Sequence, residues 1–577
     1  MRLILRRVFQ TILFSTFLTL PLLAFNGNVS LYSRWGNGEQ LGLKYQYLEN
    51  YLGISTDWGK WRLQTELAYN HPPEYGYNLA GLRQGLISYR DENLLLEAGT
   101  LTQVFGSGMS LNLFEELEID FNNMPVGVKA DWHQTSRTWW TFLAGRKAPY
   151  RFYSPNSIDR HPDGEADYWL AGAQVSFSNS MGNRTIAPYL ITTRLRSPIQ
   201  AYEIDGATSR IVLDTLEQQM AATTAGMMVA LYFDSWDILV EGAWTEKVFD
   251  EPLRSQQIVI TDLTQGLMTD AMHSRASGYG LFGQANFYVD ALAILLEYKH
   301  YQMGVESAGE KLNPFQMATK PLPFQVGPTG LRQHDVSLLA NITHPVDYGD
   351  EVGFNLEVQS PVGQDWILRG QTSVLSAGHA SGELIHLTQP GAGRILPSFN
   401  KKFAPFQEYL LEWDYAGLKL DYRGVLAFTS STLSGQTTET SRFATFVPAY
   451  LSFQVNDTWV LSGVAEYQAA TVQSFDKFDE QLGGFEFNSA HGILAVDWRT
   501  SVSLAAIWDY TTDPTQVDEN GQPIHAWLSG ELSVRPSDRL RLRASYGAEK
   551  GGVRCTGGVC RVINPFQGTR ITLEARL

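Results

Sequence analysis

Two cysteines in 577 residues and a charged fraction of only 18% set the first bounds. That fraction lies below the usual quarter of a globular chain. Past the N-terminus no stretch reaches eighteen consecutive apolar residues, so helical membrane spans are excluded. A phosphate loop, H-E-x-x-H, G-x-S-x-G and C-x-x-C are all missing, and the eleven histidines are scattered. No enzyme and no cofactor is therefore expected. His300 could face lipid on an outer wall, but no serine partner can be picked for it. The net charge of −16 argues against a nucleic-acid partner, because phosphate binding needs clustered Lys and Arg. No repeat of about 20–50 residues is visible.

What is present begins with a secretory pattern. Arg2, Arg6 and Arg7 precede an uncharged, mostly apolar stretch over residues 8–23, and Leu22 and Ala24 stand at the two positions before the cleavage site where a signal peptidase takes small or neutral residues. Residues 1–24 read as a signal peptide and 25–577 as one mature domain, whose net charge becomes −19 once the three arginines are removed. The 15 Trp, 26 Tyr and 29 Phe are abundant for a chain with so little helical periodicity.

The dominant signal has a period of two. Ile571, Leu573 and Ala575 oppose Arg570, Thr572, Glu574 and Arg576. Leu540, Leu542 and Ala544 oppose Arg541 and Arg543. Leu418, Leu420 and Tyr422 oppose Lys419, Asp421 and Arg423. Such alternation puts the two sets on opposite faces of a strand. The strands come in hairpins of about ten to twelve residues, long enough to cross a bilayer when tilted. Short connections such as 91–93, 234–235, 289–290, 416–417 and 535–538 alternate with long polar ones at 147–167, 195–221, 247–276, 303–333, 377–404, 429–440, 469–483 and 511–523. Trp58, Trp61, Trp132, Trp236, Trp366, Trp459 and Trp498 all lie near short turns, as an interfacial girdle requires.

The expected fold is all-β: a single large antiparallel transmembrane β-barrel with short periplasmic turns and long outer loops, in a bacterial outer membrane. Twenty-four strands are counted, the first at 39–48, 49–58 and 60–69. Residues 28–35 and 334–342 could raise the number to 26. Outer-membrane lipid is the expected surrounding, with a surface or periplasmic protein partner left open.

Inward-facing polar positions would line the lumen: Glu297, Lys299, Lys419, Asp421, Arg423, Glu531, Arg541, Arg543, Arg570, Glu574 and Arg576. Charges there are tolerated beside water or opposite charges. They suit either a solute path or a stiffening ion lattice. Segment 104–127 breaks the alternation. Gly106 and Gly108 permit sharp bends, and Leu111, Phe114 and Leu117 have helical spacing beside Glu115, Glu116, Glu118 and Asp120. This segment reads either as a luminal constriction or as an ordinary outer loop. Asp159, His161, Asp163, Glu165 and Asp167 cluster in another loop. They match no EF-hand spacing, so a solvated acidic loop is the better reading and no metal is expected.

The stretches YLGISTDWGKWRLQTELAY, FGSGMSLNLFEELEIDFNNMPVGVKADW and GGVRCTGGVCRVINPFQGTRITLEARL resemble poorly characterised outer-membrane barrel proteins of Bacteroidota-type bacteria. The resemblance implies location and fold, not activity. One departure is Leu577, where such barrels usually end in an aromatic residue. Two functional readings remain: a porin-like channel or transport barrel for polar solutes, or a structural barrel of a surface complex with its lumen closed.

Cys555 and Cys560 flank Thr-Gly-Gly-Val, and the two glycines permit the reversal that a local disulfide needs. A ring this small adds about 2 kcal/mol or less. Unreduced, denatured protein is expected to show no free thiol to a maleimide reagent; two reactive thiols per chain would rule the bridge out.

Overall fold

The computed structural model describes residues 27–40, 42–74, 78–116, 121–147, 167–205, 210–258, 268–303, 322–332, 334, 337–340, 349–380, 393–434, 438–476, 480–517, 521–556, 559–563 and 565–576. The expected signal peptide lies outside them. Twenty-four antiparallel strands form the wall. In order they are Gly27–Gln40, Leu43–Trp58, Trp61–Asn70, Leu79–Arg90, Leu94–Thr100, Val126–Thr135, Thr138–Lys147, Asp167–Ser178, Arg184–Asp205, Arg210–Tyr232, Trp236–Ile258 and Met268–Val289. There follow Leu292–Gln302, Glu351–Val362, Trp366–Ser376, Phe406–Ala416, Leu420–Ser434, a broken strand over Thr438–Phe446 and Ala449–Asn456, Trp459–Asp476, Gln481–Trp498, Val502–Thr511, Ala526–Ser537, Leu540–Glu549 and Phe566–Arg576. The break falls at Pro448, which has no N–H for the ladder. Its carbonyl still accepts from Val425, and the strand resumes.

The sheet closes on itself. The first strand pairs with the second along its whole length, and with the last from Ser30↔Arg576 to Glu39↔Gln567. No free edge remains in the wall, which is what a strand protein in lipid requires. No helix of the described residues is long and apolar enough to cross a membrane.

Alternation separates two environments. Leu190, Val240, Leu296, Leu426 and Leu504 point outward and are exposed, while Ala187, Tyr189, Glu241 and Glu412 on the same or neighbouring strands point inward and are buried. Outward aromatics form two belts. Trp61 and Tyr69, Trp236 and Trp244, and Trp459 and Tyr467 lie eight residues apart on their strands. At roughly 3.3 Å per residue this is about 26 Å along the strand, or about 20 Å of depth at a tilt near 40°. The lower belt sits at the short turns. There Lys60 donates to Asp91 at 2.7 Å, a bond that holds the Asp91 carboxyl below its ordinary range and raises Lys60. An apolar band between two aromatic belts, on a closed sheet, makes this an outer-membrane β-barrel.

The count of 24 agrees with expectation, but two details differ. Residues 39–48 and 49–58 are not two strands. Leu43–Trp58 runs through, because Glu49 and Asn50, which look like turn residues, are held by Arg34 and Ser33 of the neighbouring strand. Residues 28–35 supply the compensating strand. Among the described residues of 334–342 there is none: Ser337–Ala340 is a single helical turn.

The loops expected at 195–221, 247–276, 429–440 and 469–483 are largely strand, continuing the wall to Asp205, Ile258, Ser434 and Asp476. Above the membrane both faces of a strand meet water, so the period-two signal fades while the ladder persists. The small outer hairpin Gly552–Thr556 with Val559–Ile563 makes Cys555 and Cys560 direct cross-strand partners in its backbone. Their side chains lie outside the described ones.

An ion network locks the seam. Arg34 Nη2 is 2.8 Å from Glu49 and 2.7 Å from Glu74. Arg570 of the last strand is 3.0 Å from Glu74 and also pairs with Glu549. Replacing Arg34 with Met leaves two buried carboxylates short of a partner. The expected loss is about 2 kcal/mol, below the full buried-pair penalty because Arg34 is partly open. It is read as a lower midpoint temperature for conversion of the fast-migrating unboiled form on a gel. An unchanged midpoint would show that the seam network is dispensable.

Candidate functional site

The connection between Leu94–Thr100 and Val126–Thr135 leaves the wall at Leu101, whose N–H donates to Pro125 O at 2.9 Å and closes the neck. Inside, Gln103–Phe105 pairs with Leu111–Leu113, and Glu115–Glu116 with Phe121–Asn122. The helical spacing read at Leu111 and Phe114 is therefore not realised; short strands stand there instead. Gly106 and Gly108 have φ of +58° and +95°. The left-handed backbone at Gly106 favours glycine, and a Cβ there would meet the Glu241 carboxylate at 2.4 Å and push it from its place.

Polar anchors tie this segment to inward wall residues. Ser107 N–H and Tyr189 O–H both donate to Glu241. Ser110 Oγ lies 2.8 Å from Tyr189 Oη. Lys147 donates to Asn122 at 2.9 Å. Arg83 pairs with Glu115 and Glu66. The anchors run from the fourth strand to the eleventh. Between them Phe105, Leu111 and Leu113 form a buried apolar cluster with Leu143, Tyr168, Leu170 and Ile191 of the wall.

A second inward segment completes the cluster. Leu322 and Phe324 belong to it, and Asn112 N–H donates to Phe324 O at 2.8 Å. Onward, Tyr301 donates to Pro328 O at 2.8 Å, and Lys299, 1% exposed, pairs with Glu351 and donates to Thr329 O. Arg332 lies 3.1 Å from Glu412, and His334 Nε2 lies 2.9 Å from Glu408. The amides of Ser337 and Leu338 donate to the Glu466 carboxylate at 3.0 and 2.8 Å. Leu338 and Leu339 then pack among Leu410, Val425, Ala427, Phe446 and Phe487.

The other expected luminal residues are placed as follows. Glu297 accepts from Asn355 at 3.0 Å. The Arg423 guanidinium stands 3.9 Å over the Tyr450 ring, on the strand that also carries Asp421. Arg543 lies 3.3 Å from Glu531, and Arg541 is 3.5 Å from Ser533 Oγ. Glu574 is half-buried opposite Tyr32 and Arg541. Lys419 is exposed in the turn before Leu420, and Arg576 is exposed at the same end. Glu118 and Asp120 lie outside the described residues, as do Asp159, His161, Asp163 and Glu165. Asp167 pairs with Arg146 at 2.7 Å. Among the described residues no three His, Cys, Asp or Glu side chains are grouped to hold a metal.

The inward course of residues 322–332 and 337–340 and the anchoring roles of Glu408 and Glu466 were not expected from the sequence. A usable signal was there: LPFQVGPTGL is too apolar for an ordinary surface loop.

The matched family model covers residues 24–374 and 453–577. The chain belongs to the family of unknown function DUF6029. No curated protein matches this DUF6029 chain. Among solved structures it is similar to a ferric enterobactin receptor, PfeA, of Pseudomonas aeruginosa at 12% identity, covering 96% of this chain and 81% of that one with a TM-score of 0.45. The copper transporter OprC matches at 9% identity, covering 96% and 80%, with a TM-score of 0.45. The siderophore receptor PirA from Pseudomonas aeruginosa matches at 6%, covering 96% and 80%, with a TM-score of 0.44. Likenesses this remote carry over no cargo.

Glu241 is the hinge of the first segment's attachment. In the Glu241→Ala variant, residues 101–125 of the DUF6029 barrel should become more open to limited proteolysis, as mapped by mass spectrometry, and Glu241→Gln should restore most of the protection. Equal cleavage in all three proteins would exclude Glu241 as the anchor.

Proposed function

We propose that this barrel is a gated transport protein for polar solutes, its lumen obstructed by the inward segments, residues 101–116 with 121–125 and 322–332 with 337–340, until they are displaced. The observation that carries the reading is how those segments are held. Glu241, Lys147, Lys299, Glu412 and Glu466 reach from the wall to their backbone or side-chain polar groups. Polar attachments of this kind can be exchanged for water or solute without breaking the wall. Toward the short-turn end the lumen is wetter. Arg543 and Asp57 have side chains 43% and 55% exposed, which suits a charged vestibule leading to the obstruction.

A second reading has its own support. Fourteen buried residues join the first segment, the second and the wall in one apolar cluster. A permanent core would look the same, and the barrel would then be a structural part of a surface complex. On either reading residues 1–24 serve as a cleaved export signal.

Planar-bilayer recordings separate the two. The parent protein is expected to be closed or to open rarely. Deletion of residues 109–121 should give steady conductance and remove Glu115, Glu116, Glu118 and Asp120 from any constriction, lowering cation preference. Heat-modifiable migration checks that the deleted protein is still a barrel. A folded deletion variant that stays silent would favour the structural reading.

A further inference from the structure

The described parts of one connection, residues 377–380 and 393–405, fold outward rather than inward. On the strand Leu292–Gln302, Glu297, Lys299 and Tyr301 serve the lumen, so Tyr298, His300 and Gln302 face the lipid side. Yet His300 is only 4% exposed, and Val352 and Val374, also on the outer face, are buried. Residues of the connection between Trp366–Ser376 and Phe406–Ala416 cover them. Tyr298 O–H donates to Ile395 O at 2.7 Å. Asp350 accepts from the amides of Gly378 and His379 at 3.1 and 3.0 Å, and its carboxylate lies 3.0 Å from His379 Nδ1. Arg394 N–H donates to Gly378 O at 2.9 Å, and Ser398 N–H to Ser376 Oγ at 2.9 Å. This is a clasp fixed to the outside of the wall.

Its height is marked by aromatics. Trp244 of the upper belt stacks on Tyr279, with centroids 6.5 Å apart, and Tyr279 meets the His300 ring edge-on at 5.3 Å. The clasp therefore lies at the outer membrane–water boundary. There it presents Ile395, Leu396 and Phe399 at 67%, 62% and 64% exposure. No described residue covers them. Beside them Arg394 and Lys402 are exposed cations, in a chain whose net charge is −16. Irregular backbone is excluded from the hydrocarbon core but is tolerated at the interface, where apolar side chains dip into acyl chains and cations meet headgroups.

We propose that residues 393–402 form a binding surface for a phosphorylated, multiply acylated glycolipid of the outer leaflet. Ile395, Leu396 and Phe399 contact acyl chains, and Arg394 and Lys402 contact the phosphates. A neutral lipid satisfies only the apolar half of this surface. A second copy of the chain would bring the same cations against Arg394 and Lys402.

The test uses the full-length, delipidated barrel in detergent, titrated with bis-phosphorylated hexa-acyl lipid A or with phosphatidylcholine and followed by native mass spectrometry. Lipid A should be retained preferentially. Arg394→Gln with Lys402→Gln should weaken lipid A at least tenfold, in line with the roughly fivefold effect of each basic residue at an anionic surface, and leave phosphatidylcholine unchanged. Ile395→Ser, Leu396→Ser and Phe399→Ser together should weaken both. Heat-modifiable migration confirms that each variant is folded. Equal retention of the two lipids by the parent, or equal lipid A retention by parent and charge variant, would overturn the proposal. So would a parent dimer that the serine variant abolishes, which would assign the surface to a second copy.

Discussion

Every backbone N–H and C=O that enters lipid must find its partner within the chain, and the pairing of Gly27–Gln40 with Phe566–Arg576 meets that demand. Until those two strands meet, the sheet has two raw edges, each a row of unsatisfied groups with no water to accept them. This contact is also the most distant in sequence, so it forms against the largest loop-closure entropy. Specific side chains reinforce it. Arg34, Glu74 and Arg570 bridge the first strand, the third connection and the last strand. Gly38 lies so close to Gly568 and the Gln567 carbonyl that any Cβ there would collide with the partner backbone.

Closure then divides the side chains between two solvents. Outward positions meet acyl chains and are apolar, with aromatic rings where lipid gives way to water. Inward positions are free of that requirement and can be charged, on condition that each charge has a partner. Where the inward segments exclude water the condition is met closely: Lys299 has Glu351, Arg83 has Glu66 and Glu115, and Glu466 has two amides. Near the short turns, where water enters, the pairs are open to solvent, as with Arg543 and Glu531 or Lys60 and Asp91.

The wall was readable from sequence because lipid imposes a strict period of two, and Ile571, Leu573 and Ala575 obey it. The merging of Leu43–Trp58 was not, since Glu49 and Asn50 carry the chemistry of a turn and only the neighbouring Arg34 and Ser33 show that they belong to a strand. Nor were the extensions to Asp205 and Ile258, where strands in water have no apolar face to display. Of the candidate site, Gly106, Gly108 and Glu115 stood out by breaking the alternation. The partners that receive them, Glu241, Tyr189 and Arg83, lie far away in sequence, and no local pattern links them.

The inward cluster also limits how any passage could open. Phe105, Leu111, Leu113 and Phe324 are each 1% exposed or less. Parting them from their surroundings exposes side chains worth about 1.5–3 kcal/mol each, or roughly 6–12 kcal/mol together. A spontaneous opening of that size would be populated in fewer than about one molecule in ten thousand. Thermal fluctuation alone therefore cannot make this lumen a standing pore. Whatever opens it must bind the displaced arrangement better than the closed one by a comparable free energy. The polar anchors are the natural place for such a ligand or partner to act. Competing for Glu241 or Glu466 removes a polar hold on a backbone segment and so lowers what remains to be overcome, whereas competing for the apolar cluster would require displacing many side chains together.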